Sequence, residues 1–87
     1  MLLEVQFKPS FVRAVQHLHR DLISEVHEKI ALLKDPKNHS VLKVHKLHGR
    51  LSDCFSFSVN YRTRITFQYE SKTVVTLIAI GDHDIYK

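Results

Sequence analysis

From Cys54 to Tyr69 the chain is written almost entirely in a two-residue period, which commits its C-terminal half to an antiparallel sheet. In the first run Phe55, Phe57, Val59 and Tyr61 fall on one side, and Cys54, Ser56, Ser58 and Asn60 on the other. The next run sets Thr63, Ile65, Phe67 and Tyr69 against Arg62, Arg64, Thr66 and Gln68. Glu70, Ser71 and Lys72 supply a hairpin turn. Thr73 to Ile80 is nearly all apolar, as suits a central strand covered at least partly on both faces.

The first half changes period. Leu2 to Phe7 alternates and stops at Lys8-Pro9, so it reads as a strand. A helix opens at Pro9 or Ser10, with Phe11, Val12, Val15 and Leu18 as its apolar stripe. His19-Arg20 reads as a joint and Asp21 as the N-cap of a second helix. There Leu22, Ile23, Val26, Ile30 and Leu33 recur at helical spacing, and Glu25, His27, Glu28 and Lys29 form the outer face. Asp35-Pro36-Lys37-Asn38 ends it. Lys43 to Leu51 places Val44, Leu47 and Leu51 among basic residues, with Gly49 permitting a turn or bulge. The predicted architecture is α+β: an N-terminal strand, a two-helix hairpin, then an antiparallel sheet of three to four strands. The helices cover one sheet face, and the other is left polar, bearing Ser56, Ser58, Arg62 and Arg64.

Eighty-seven residues allow one core, so residues 1–87 are read as a single domain. Hydrophobic residues make up 44% of the chain, enough to bury that core. The formal net charge of +4 favours anionic partners such as a nucleic acid or an acidic protein segment. Cys54 stands alone, which excludes an internal disulfide and fits a reducing cytoplasm. Met1 to Val5 carries charge too early for a signal peptide, and no apolar run approaches the ~20 residues of a membrane span.

Three groups of residues can carry chemistry. Lys43, His45, Lys46, His48 and Arg50 place five basic or imidazole side chains within eight positions. Arg62 and Arg64 open a strand, and His83 and Tyr86 follow the end of a later one. Strand ends in an antiparallel sheet can lie side by side, bringing cation, imidazole and phenol to one surface. Metal-free RNA cleavage needs a base for the ribose 2′-hydroxyl, an acid for the departing 5′-oxygen, and cations for the transition state. Histidine serves as acid or base near neutrality, arginine forks onto phosphate oxygens, and an aromatic stacks on a base. Each of these groups also has an ordinary reading: a solvated basic edge for Lys43 to Arg50, cross-strand charge pairing for Arg62 and Arg64, and an exposed histidine for His83. Although the chain has seven histidines, no pair has convincing metal spacing, so neither a metal nor another cofactor is expected.

The segments Leu42-Lys43-x-His45-Lys46-Leu47-x-Gly49-Arg50-Leu51, Ser58-Val59-Asn60-Tyr61-x-x-Arg64-Ile65-x-Phe67 and Ile80-Gly81-x-His83-Asp84-x-Tyr86 together resemble the RelE/ParE superfamily of bacterial toxins. The likeness is nearest to RelE/StbE and YafQ-like mRNA interferases. The resemblance implies a cytoplasmic toxin of a type II toxin–antitoxin system that cuts messenger RNA, usually on the ribosome, without a metal. It implies a cognate antitoxin as partner, mRNA and ribosomal RNA as further partners, no membrane, and a toxin that is monomeric when free and heteromeric with antitoxin. His45, Arg64, His83 and Tyr86 match catalytic positions, and Lys43, Lys46, Arg50 and Arg62 are assigned to RNA binding. YafQ-like members carry a second histidine and an acidic residue where this chain has Ser58 and Arg62, and RelE has arginine where His83 stands. These departures leave the division of acid and base duties open. Two other functions fit the same scaffold: a ParE-like inhibitor of DNA gyrase, and an inactive antitoxin-binding relative.

Overall fold

The computed structural model describes residues 2–82. It is α+β, with the strand, helical hairpin and antiparallel strands in the predicted order. β1 (Glu4–Phe7) leads through Lys8 into α1 (Pro9–Gln16), whose first turn accepts the proline. α2 (Arg20–Leu33) begins two residues earlier than expected. Its N-cap is His19, whose Nδ1 accepts a hydrogen bond from the Asp21 backbone N–H at 3.2 Å. Asp21 lies inside the first turn instead, where its carboxylate faces the positive end of the helix dipole.

Two short 3-10 turns, Pro36–Asn38 and Gly49–Leu51, flank β2, which is only His45–Lys46. Gly49 has φ +73°, a conformation that explains glycine at this turn. The remaining strands are β3 (Phe55–Ser58), β4 (Thr63–Tyr69) and β5 (Val74–Asp82).

The sheet has five strands in the order β1-β5-β4-β3-β2. β2 to β5 pair antiparallel, and β1 adds a parallel edge strand beside β5. The extra strand makes the sheet mixed and gives β5 a neighbour on each side, which accounts for its apolar sequence. A register shift between Thr66 and Phe67 leaves Ile78 without a partner and bends β4 against β5.

The hairpin covers one face. Phe11 and Val15 of α1 and Val26, Ile30 and Leu33 of α2 form one buried cluster with Phe57, Ile65, Phe67, Val75 and Leu77. Phe67 meets Phe55 and Phe57 at ring-centroid distances of 5.7 and 5.8 Å. Burial of each such ring stabilises the fold by about 2–3 kcal/mol. Alternation then turns Ser56, Ser58, Arg64 and Thr66 to the opposite face.

Candidate RNA-binding cleft at the end of the sheet

A cleft of about 600 Å³ opens where β3 ends, β4 begins and β5 ends. Four cationic residues line it: Lys29 from α2, Lys43 from the loop before β2, Arg62 from the β3–β4 turn, and Arg64 from β4. Asp82, the last described residue, lines it too. Leu42 and Val59 are buried beneath these side chains, so the cleft has an apolar floor and a cationic wall.

Local backbone geometry fixes the wall. Ser58 N–H donates to the Leu42 carbonyl at 2.8 Å, which ties the loop carrying Lys43 to β3. Lys43 has φ +58°, the left-handed region that costs a side-chain-bearing residue roughly 1–2 kcal/mol. Across the loop, the Asn60 side-chain oxygen accepts from the backbone N–H groups of both Arg62 and Thr63 at 2.9 Å. Asn60 Nδ2 reaches Glu25 Oε1 of α2 at 3.5 Å. One asparagine therefore shapes the turn and links it to the helical layer.

Arg64 is half-buried, and its guanidinium donates to the Ser58 hydroxyl, its partner across the β3–β4 ladder. On its other side Arg64 pairs with Gly81 of β5, two positions before His83 in sequence. His83 and Tyr86 themselves lie outside the described residues.

His45 is exposed on β2 and pairs with Ser56, on the same sheet face as Ser58 and Arg64. Strand spacing sets its Cα about 12 Å from that of Arg64, and its side chain lies outside the cleft lining. Its Nδ1 meets the Lys43 carbonyl at 2.8 Å. A carbonyl can only accept, so this nitrogen carries the proton and Nε2 is left to give or take one.

The other basic positions divide. Lys46 pairs with Phe55 and so takes the opposite face of β2 from His45, and Arg50 sits exposed on the second 3-10 turn; neither lines the cleft. Arg62 lines the cleft from the turn rather than from the polar sheet face, because β4 begins at Thr63. Tyr61, expected on the apolar face with Phe55 and Phe57, is 93% exposed at the cleft mouth because β3 stops at Ser58. Lys29, Asn60, Tyr61 and Asp82 complete a site that alternation alone did not mark. The signal available for Asn60 was its residue type, since asparagine captures backbone N–H groups two positions on.

No family model and no curated protein matches the sequence. Solved structures share the fold. YafQ from Escherichia coli superposes with a TM-score of 0.75 at 15% identity, covering 95% of this chain and 96% of that one. The archaeal RelE–RelB complex from Pyrococcus horikoshii gives 0.72 at 17% identity, covering 94% and 96%. A free-state mutant of the Escherichia coli toxin RelE gives 0.73 at 18% identity, covering 98% and 87%. The chain therefore has the RelE-like fold.

Proposed function

We propose that this chain is the toxin of a type II toxin–antitoxin system and that it cleaves messenger RNA, on the ribosome, without a metal. The observation that carries the reading is the cationic cleft built around Arg64, on a fold shared with RelE and YafQ. Several structures of that fold contain a partner, among them the RelE–RelB complex and a toxin–antitoxin complex from Mycobacterium tuberculosis, which supports an antitoxin as the partner here. A basic chain suits capture by an acidic segment, because complementary charge speeds association.

In the proposed reaction the ribose 2′-oxygen attacks the adjacent phosphorus as the bond to the 5′-oxygen breaks. A base takes the 2′-hydroxyl proton and an acid delivers one to the leaving oxygen. The products are a 2′,3′-cyclic phosphate and a 5′-hydroxyl. Arg64, oriented by Ser58, stabilises the charge that builds on the phosphoryl oxygens. Lys29 and Lys43 hold neighbouring phosphates, and Arg62 contacts the RNA from the β3–β4 turn. His83 and His45 are the proton carriers, and Tyr86 positions the nucleotide, on the strength of the sequence resemblance. His45 acts through Nε2, since Nδ1 is held by the Lys43 carbonyl. Because His45 stands at the sheet edge, the scissile linkage must lie between it and Arg64. Lys46 and Arg50, outside the cleft, are assigned to ribosomal RNA. The toxin works in the cytoplasm, where its substrate is; among the described residues no helix is long and apolar enough to cross a membrane.

The test is induced expression in cells. The reading requires translation arrest with shortened messages; gyrase inhibition with intact messages would replace it with the ParE-like function.

A further inference from the structure

Beside the cationic cleft lies a shallower depression of about 480 Å³, walled by Tyr61, Arg62, Thr63, Asn60 and Asp82. It shares Asn60, Tyr61, Arg62 and Asp82 with the mouth of the cleft and adds Thr63. It holds one aromatic ring, one guanidinium and one carboxylate, and an RNA phosphate has no use for the last of these. Tyr61 is 93% exposed, so it contributes almost nothing to the core. Asp82 pairs with Thr63 in the β4–β5 ladder, which places its side chain at the foot of the Tyr61–Arg62 turn. Among the described residues neither Arg62 nor Asp82 forms an ion pair, so donor and acceptor are both available. Asn60 holds the turn rigid from beneath.

We propose that this depression binds an unpaired guanine base of the RNA, stacked on Tyr61 and read by Asp82 and Arg62. The inference rests on the RNA-binding reading above and names the base that the site recognises. Guanine alone presents two adjacent donors, N1–H and the N2 amino group, to a carboxylate. Adenine and cytosine set an acceptor nitrogen beside their amino group, and uracil has a single N–H between two carbonyls. A carboxylate that accepts twice from guanine is repelled by a lone pair on each of the others. Arg62 completes the match, because a guanidinium donates to guanine O6 and N7. Tyr61 supplies the ring on which any single-stranded base stacks. The cationic cleft alongside then takes the phosphates that flank this nucleotide.

The test uses 2′-O-methyl hexanucleotides, which cannot be cleaved by attack of the 2′-oxygen, so binding is read apart from catalysis. One is all uridine, and the others carry a single guanine, adenine or cytosine at the third position. Wild type is expected to bind the guanine hexamer about tenfold more tightly than the others. Asp82→Asn should bring the four within about threefold of one another. Tyr61→Ala should weaken the guanine hexamer by about 5- to 50-fold, while Tyr61→Phe, which keeps the ring, stays near wild type. Equal affinity of wild type for all four, no binding of any, or a guanine preference that survives Asp82→Asn and Tyr61→Ala together, would overturn the proposal. Guanine-selective binding by a protein that leaves ribosome-bound message intact would uphold the base site and refute the nuclease.

Discussion

The Arg64 guanidinium donates a hydrogen bond to the Ser58 hydroxyl directly across the β3–β4 ladder. A flexible cation is thereby aimed along the polar face of the sheet from a half-buried position. If Arg64 stabilises the transition state, Arg64→Ala lowers the rate of message cleavage by about 10²–10³-fold. Arg64→Lys recovers only part of it, because an ammonium lacks the fork that grips two oxygens. Ser58→Ala loosens the aim and costs about fivefold in kcat, the worth of one hydrogen bond, with little change in KM. Single-turnover cleavage assays on programmed ribosomes measure all three.

Asn60 satisfies two backbone N–H groups with one oxygen. Asn60→Ala removes that acceptor and destabilises the fold by about 1–2 kcal/mol. For a domain of this size the melting temperature falls by about 5–15 °C. Asn60→Asp keeps the acceptor for the turn but sets a carboxylate against Glu25, so it recovers only part of that loss. Thermal unfolding followed by circular dichroism decides; an unchanged melting temperature for Asn60→Ala would show that the turn does not depend on this side chain.

Ser56 is buried on β3, and its hydroxyl has no hydrogen-bond partner among the described residues. An unpaired buried hydroxyl costs about 1–3 kcal/mol relative to a satisfied one. Ser56→Ala removes the cost together with the group. Its midpoint in urea should equal or exceed that of wild type, and a lower midpoint would mean that the hydroxyl is bonded in solution.

Four cations in one cleft make RNA binding sensitive to salt. Each single-strand phosphate neutralised contributes about −0.7 to the slope of log K against log salt, so engagement of Lys29, Lys43 and Arg64 gives about −2. Lys43→Ala should flatten the slope by about 0.7. Affinity measured on a short single-stranded RNA from low to moderate salt tests this. A slope near zero would mean that the cleft does not hold phosphates.

The sequence made some of this legible and hid the rest for physical reasons. The core was readable because Phe57, Ile65 and Phe67, like Val26, Ile30 and Leu33, obey one period throughout their elements. Arg64 was readable as a strand residue on the polar face for the same reason. Tyr61 was misplaced because a period says nothing about where a strand stops. Asn60 ends the ladder by bonding to Arg62 and Thr63, and it thereby moves both Tyr61 and Arg62 onto a turn. β1 was recognised as a strand, but its place beside β5 depends on contacts 70 residues apart in sequence, such as Glu4 with Val74. The cap of α2 fell to His19 rather than Asp21 because an imidazole nitrogen accepts a backbone N–H as a carboxylate does. Lys29 entered the site only when the helix packed against the β3–β4 turn, a juxtaposition that no local pattern encodes.

If this cleft cuts RNA, the products carry defined ends. Primer extension on a defined message, incubated with purified protein in the presence and absence of ribosomes, tests it most directly. The expected result is discrete stops within the translated region, 5′-hydroxyl ends on the downstream fragments, dependence on ribosomes, and loss of the stops with Arg64→Ala. An intact message under conditions where the same protein arrests growth, or stops that persist undiminished in Arg64→Ala, would contradict it.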